Sequence, residues 1–126
     1  MDFTGTWGIY QCFQGTDDNM VATENREEFF ALKPNGKVFQ CISMSDGMIK
    51  LKYGKKEFKV NPKLYKIVNE PKHKIGEMVE IIEKSSIGQI MDVEWHIKDD
   101  EPFYLLEIQG KKSGKRYKDY DMKEVR

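Results

Sequence analysis

The placement of turn residues constrains this chain more than any other feature. Turn formers recur about every 8–12 residues, at Pro34-Asn35-Gly36, Ser45-Asp46-Gly47, Gly54, Asn61-Pro62, the 85–88 run "SSIG", the 98–102 run "KDDEP" and the 110–114 run "GKKSG". The segments between them are short and alternate apolar with polar residues, as half-buried strands do. Helical spacing is confined to "TENREEFFAL" (23–32), where Thr23 is placed to cap a turn or two. Phe29 and Phe30 favour extended structure, so the reading adopted for 29–43, "FFALKPNGKVFQCIS", is a hairpin turning at Asn35-Gly36. A second hairpin, "MIKLKYGKKEFKV" (48–60), turns at Gly54; "KLYKIV" (63–68) is a short extended piece, and "NEPKHK" (69–74) is a linker or corner.

The second half is more regular. "GEMVEIIE" (76–83) alternates around Val79 and Ile81, and a turn at "SSIG" leads into "QIMDVEWHI" (89–97), which puts Met91, Val93, Trp95 and Ile97 on one face. Gly76 and Gly88 are assigned to turns or bulges on either side of the strand between them. "FYLLEI" (103–108) is a buried strand, "GKKSGK" a basic loop, and "RYKDYDMKEV" (116–125) a last strand or a single helical turn. The expected fold is all-β: an N-terminal β-meander over residues 1–70 packed with a small, closed or nearly closed barrel over 71–126.

The C-terminal run carries a resemblance. Gly76, Val79, Gly88, Ile90, Val93, Tyr104, Gly110, Tyr117 and Asp121 fall where the small Src-homology-3-like barrels of the KOW type have their opening Gly-x-x-Val, their Gly-x-apolar strand, their Tyr-rich strand ending in Gly and their final Tyr-x-x-x-Asp corner. The likeness covers residues 73–126 and implies a barrel that binds nucleic acid, peptides or proteins. A shorter resemblance, Gly5-Thr6-Trp7, is to the first strand of the calycins. It implies a small-molecule carrier in which Trp7 lies under the barrel floor and Arg116 covers its indole.

Charge is segregated although the net charge is zero. Residues 1–48 carry −4, 49–75 carry +7 (nine lysines against two glutamates), 76–101 carry −6 and 102–126 carry +3. Oppositely charged strands pair and cancel in a sheet; the sharper reading is a basic face at Lys50–Lys74 that meets a polyanion. Cys12 and Cys41 lack CxxC spacing and read as reduced, half-buried thiols of a cytoplasmic protein, although their even number also permits a disulfide. No apolar run approaches the ~20 residues of a membrane span, and the first ten residues do not read as a secretory signal.

Chemistry is sparse. His73 and His96 have no zinc-like spacing with the cysteines, so neither a metal nor a cofactor is expected. Asp99, Asp100 and Glu101 read as a solvated turn. "GKKSGKR" (110–116) lacks the spacing of a phosphate loop, and no Ser or Cys has a histidine beside it in sequence. The chain therefore reads as a non-enzymatic interaction module whose partner is another protein. Its candidate binding residues are Trp95, Tyr104, Tyr117 and Tyr120, an aromatic platform if they share a surface, with Lys111, Lys112, Lys115 and Arg116. The alternatives are a nucleic-acid-binding barrel and a calycin-like carrier.

Overall fold

The computed structural model describes residues 2–125 and is all-β apart from one short helix and four 3-10 turns among those residues. The chain divides into two compact units, Met1–Glu70 and Pro71–Arg126. In the first, strands β1 (Trp7–Tyr10), β2 (Val38–Ser45), β3 (Met48–Tyr53), β4 (Lys56–Val60) and β5 (Tyr65–Val68) form an antiparallel sheet of order β4-β3-β2-β1-β5. The β2–β3 connection is the pair Asp46-Gly47, both at positive φ (54° and 76°), between the partnered Ser45 and Met48. That backbone matches the right-handed twist of the strands it joins, which explains an Asp-Gly pair there.

The hairpin expected over 29–43 is not formed. Arg26–Ala31 is a helix, α1, and the next strand, β2, begins only at Val38. As a helix it lowers fully buried Phe29 among Tyr10, Phe39 and Phe58, with ring centroids 5.0–5.8 Å apart. Packing of one ring against three outweighs a weak strand preference. Thr23 caps nothing; it opens a 3-10 turn, and α1 begins after Asn25. The Asn25 side chain instead accepts from Lys59 N at 2.8 Å, while Ala22 N donates to Lys59 O at 2.9 Å. The outer edge of β4 is thereby covered, as an unpaired sheet edge must be.

In the second unit, β6 (Met78–Ile81), β7 (Ser86–His96), β8 (Glu101–Ile108), β9 (Lys111–Lys112) and β10 (Met122–Glu124) form an antiparallel sheet of order β10-β6-β7-β8-β9. Counted within each unit, both sheets have the same order: the fifth strand beside the first, then second, third and fourth. A 3-10 turn precedes the fifth strand in each, Pro62–Leu64 and Asp119–Asp121.

Two expectations in this unit are corrected. Gly88 is not at a turn; it pairs with Val79 inside β7, and the turn lies one step earlier, at 82–85, with Ser85 at φ 52°. Met91 and Ile97 do not share the face of Val93 and Trp95. A bulge between Ile90 and Asp92 adds a residue to β7, so Ile90, Val93 and Trp95 are buried while Met91 is exposed; Ile97 is exposed because it lies past the end of β7, in the turn after His96. Nor does either ladder close into a barrel. The end strand β9 has only two residues, and the following segment returns to β8 through one isolated bridge, Tyr104 to Tyr117. Both cysteines are free, and both are buried rather than half-buried. Among the described residues no helix is long and apolar enough to cross a membrane.

Candidate functional site

Ile81 and Ile82 end the β6 alternation as two consecutive apolar residues, so only one can face inward. Ile81 is buried; Ile82 is 50% exposed. Ile82 N donates to Asp121 O at 3.0 Å, which ties the start of the 82–85 turn to the 3-10 turn before β10. That turn is shaped by Asp121, whose carboxylate accepts from Lys118 N at 2.8 Å, and its middle residue, Tyr120, is 74% exposed. Between these two turns lies a pocket of about 170 Å³, lined by Ile81, Ile82, Glu83, Lys115, Tyr117, Tyr120 and Asp121. Tyr117 forms part of its lining while itself buried, held by paired backbone bonds with Tyr104 of 2.8 and 2.9 Å. The Lys115 ammonium lies 5.3 Å from the Tyr117 ring centroid, so this cation is stationed at the pocket by its contact with the ring face.

Beneath the site is a polar lock. The Tyr104 hydroxyl donates to Asp119 Oδ1 at 2.6 Å and accepts from His73 N at 3.4 Å, and His73 Nδ1 meets Glu77 Oε2 at 2.6 Å. Burial, then the bond to Asp119, pushes the Tyr104 phenol well above the ordinary tyrosine range, so it stays a neutral donor. Lys118 adds a second tie, its ammonium 2.6 Å from Glu101; that bond raises its pKa.

The candidate residues divide. Tyr117, Tyr120 and Lys115 line the pocket. Trp95, Tyr104 and Tyr117 are buried and build the core, so the aromatic platform is absent and Tyr120 alone of the four is presented to solvent. The reason is demand: a sheet this small needs its large side chains inside. Lys111 and Lys112 form β9, Lys112 pairing with Asp92 at 3.1 Å. Arg116, assigned by the calycin resemblance to cover an indole, lies 4.9 Å from the Phe103 ring centroid. Ile82 and Glu83 were missed, although the Ile81-Ile82 doublet was a signal that one of them faces outward. Among the described residues no three metal-ligating side chains converge.

The fold and this pocket define an all-β protein with two units of one strand order and, on the second, a pocket of mixed isoleucine, tyrosine and charged lining. The chain belongs to a family of unknown function (DUF6960), which it matches over residues 1–123 and hence through both units. No curated protein and no solved structure matches it.

Proposed function

We propose that the protein is a non-catalytic interaction module, built from Src-homology-3-like units, that binds another protein through the Ile82–Tyr120 pocket. The observation that carries this reading is the exposure of Tyr120 and Ile82 on hydrogen-bonded turns either side of one pocket. An aromatic beside a pocket is the kind of anchor at which binding energy concentrates in protein interfaces. The Src-homology-3-like part is supported by strand order and by the 3-10 turn before the last strand in each unit. The partner contributes a short extended segment whose apolar side chain enters between Tyr120 and Ile82, with Lys115 and Glu83 on the rim. A cytoplasmic location belongs to the same reading, supported by the two free, buried thiols.

The test is site-specific photocrosslinking from position 120 in the native cell. A discrete protein adduct that disappears when Ile82→Asp is added supports the proposal. Crosslinking that is absent, or indifferent to Ile82→Asp, overturns it.

A further inference from the structure

The part of the basic segment that lies in the first unit, residues 49–70, puts three of its lysines on one face of the sheet. Strand register places Gln40, Lys52 and Glu57 in one row across β2, β3 and β4, and Ser43, Lys50 and Lys59 in the next. Their neighbours Cys41, Leu51 and Phe58 point the other way, into the core. Lys50 therefore stands directly opposite Lys59, with Cβ atoms about 5 Å apart, and Lys52 follows on the same face about 6.8 Å along the strand. A like-charge pair in direct register destabilises a sheet. One carboxylate relieves it in part: Glu57 lies 3.9 Å from the Lys50 ammonium. Lys52 and Lys59 have no carboxylate within ion-pair distance among the described residues. Lys55 and Lys56, at the turn joining the two strands, extend the charge to the end of the hairpin. The basic cluster of the second unit is different, since Lys112 has Asp92, Lys115 has Tyr117 and Arg116 has Phe103.

We infer that the Lys50–Lys52–Lys59 face of the first unit is a binding site for the phosphodiester backbone of a nucleic acid, separate from the protein-binding pocket. Three ammonium groups on a rigid ladder, beside the Gln40 amide and Ser43 hydroxyl donors, match a chain of regularly spaced anions. No aromatic side chain stands among the six residues of that grid, so bases are not stacked there and the lysines contact the backbone, which makes recognition largely tolerant of sequence. A local violation of sheet electrostatics that is only partly compensated internally marks function rather than stability.

Fluorescence anisotropy with mixed-sequence single-stranded and duplex DNA of about 20 nucleotides tests this. For the single strand, three phosphate contacts give a slope of log K against log salt near −2, or roughly 15-fold weakening between about 50 and 200 mM salt. The double variant Lys50→Gln/Lys59→Gln flattens that slope to about −0.7, while its melting temperature stays level or rises because the repulsion is gone. Glu57→Gln tightens binding by about two- to threefold at low salt, a gain that misfolding cannot imitate. Whichever of the two DNAs binds more tightly identifies the form recognised. The inference is overturned by no binding to either DNA at about 50 mM salt, by an unchanged slope in the double variant, or by equal binding of polyglutamate. Loss of binding on Lys111→Gln/Lys112→Gln instead would also overturn it.

Discussion

The two units thread one strand order through different connections. In the first, β1 and β2 are joined by residues 11–37, which carry α1 and place Phe29 at the centre of an aromatic cluster. In the second, β6 and β7 are joined by the turn 82–85, and the described residues of this unit form no α-helix. There the chain before the last strand is fastened by hydrogen bonds, Tyr104 to Asp119 and Lys118 to Glu101. Strand order follows from the ladders alone; what differs is whether packing of rings or polar bonds completes each core. The difference also places the surfaces. A short turn leaves Ile82 and Tyr120 flanking an open pocket, whereas in the first unit the outward side of β3 and β4 carries the lysines.

The largest effect that separates the units is expected from Phe29→Ala. Phe29 is fully buried against four rings, those of Tyr10, Phe30, Phe39 and Phe58, and its loss should cost about 3–5 kcal/mol. The chain has two tryptophans, Trp7 in the first unit and Trp95 in the second, so single-tryptophan variants report each unit in urea. The Trp7 transition should move to lower urea by that amount. A Trp95 transition that moves equally would show that the units unfold as one, and the contrast between two separately completed cores would fail.

Two glycines sharpen the same comparison at a smaller scale. A Cβ on Gly8 would meet Lys66 O and the Tyr65 ring, both at 2.5 Å. The Tyr65 ring occupies the missing side chain's place and is held there by its hydroxyl, 2.9 Å from Thr6 Oγ1. A Cβ on Gly88 would meet Ile108 Cγ1 at 3.1 Å and Glu107 O at 3.2 Å. Gly8→Ala must displace backbone and should cost about 3 kcal/mol, while Gly88→Ala, where Ile108 can yield, should cost about 1 kcal/mol. Equal urea midpoints for the two variants would mean that strand spacing in the first unit is as compliant as in the second.

How much of this was legible depends on where the determinants lie. The 48–60 hairpin and the Asp46-Gly47 turn were readable because their signals are local: glycine at positive φ between alternating strands. Helix α1 was not, because Phe29 chooses its conformation from rings that arrive from β1, β2 and β4. The β7 bulge was only half visible: the Ile90-Met91 doublet breaks the alternation of "QIMDVEW", but nothing local says that the break is an extra residue turning Met91 outward. The common strand order of the two units leaves little repeated sequence beyond the Gly-Lys-Lys after the third strand (54–56 and 110–112), because backbone ladders require none. At the pocket, Tyr117, Tyr120 and Lys115 were legible as aromatic and basic residues near the chain end, but Trp95 and Tyr104 could be assigned to the core only from their burial.

The smallest effect expected is in the response to alkali, because the units differ in buried acids. Cys12 and Cys41 both lie in the first unit. Burial, with Asp17 nearby, pushes the Cys12 thiol up to about 11 from 9.0, and burial raises Cys41 as well. A folded-state pKa above the unfolded value means that the unfolded chain releases the proton first. Stability is thus full below pH 9 and falls as the pH rises toward 11. By about pH 10 the Cys12 contribution lost is on the order of 1 kcal/mol. The second unit has no cysteine, and its buried Tyr104 ionises only above the ordinary tyrosine range. The Trp7 transition should therefore begin to weaken near pH 9 while the Trp95 transition holds until the unfolded tyrosines titrate, near pH 10. Cys12→Ser removes the thiol and should delay the first of these, because a serine hydroxyl does not ionise in this range. If the serine variant keeps the wild-type slope between pH 9 and 10, Cys12 is not the group responsible, and the alkaline contrast between the units rests on Cys41 or the tyrosines of the first sheet.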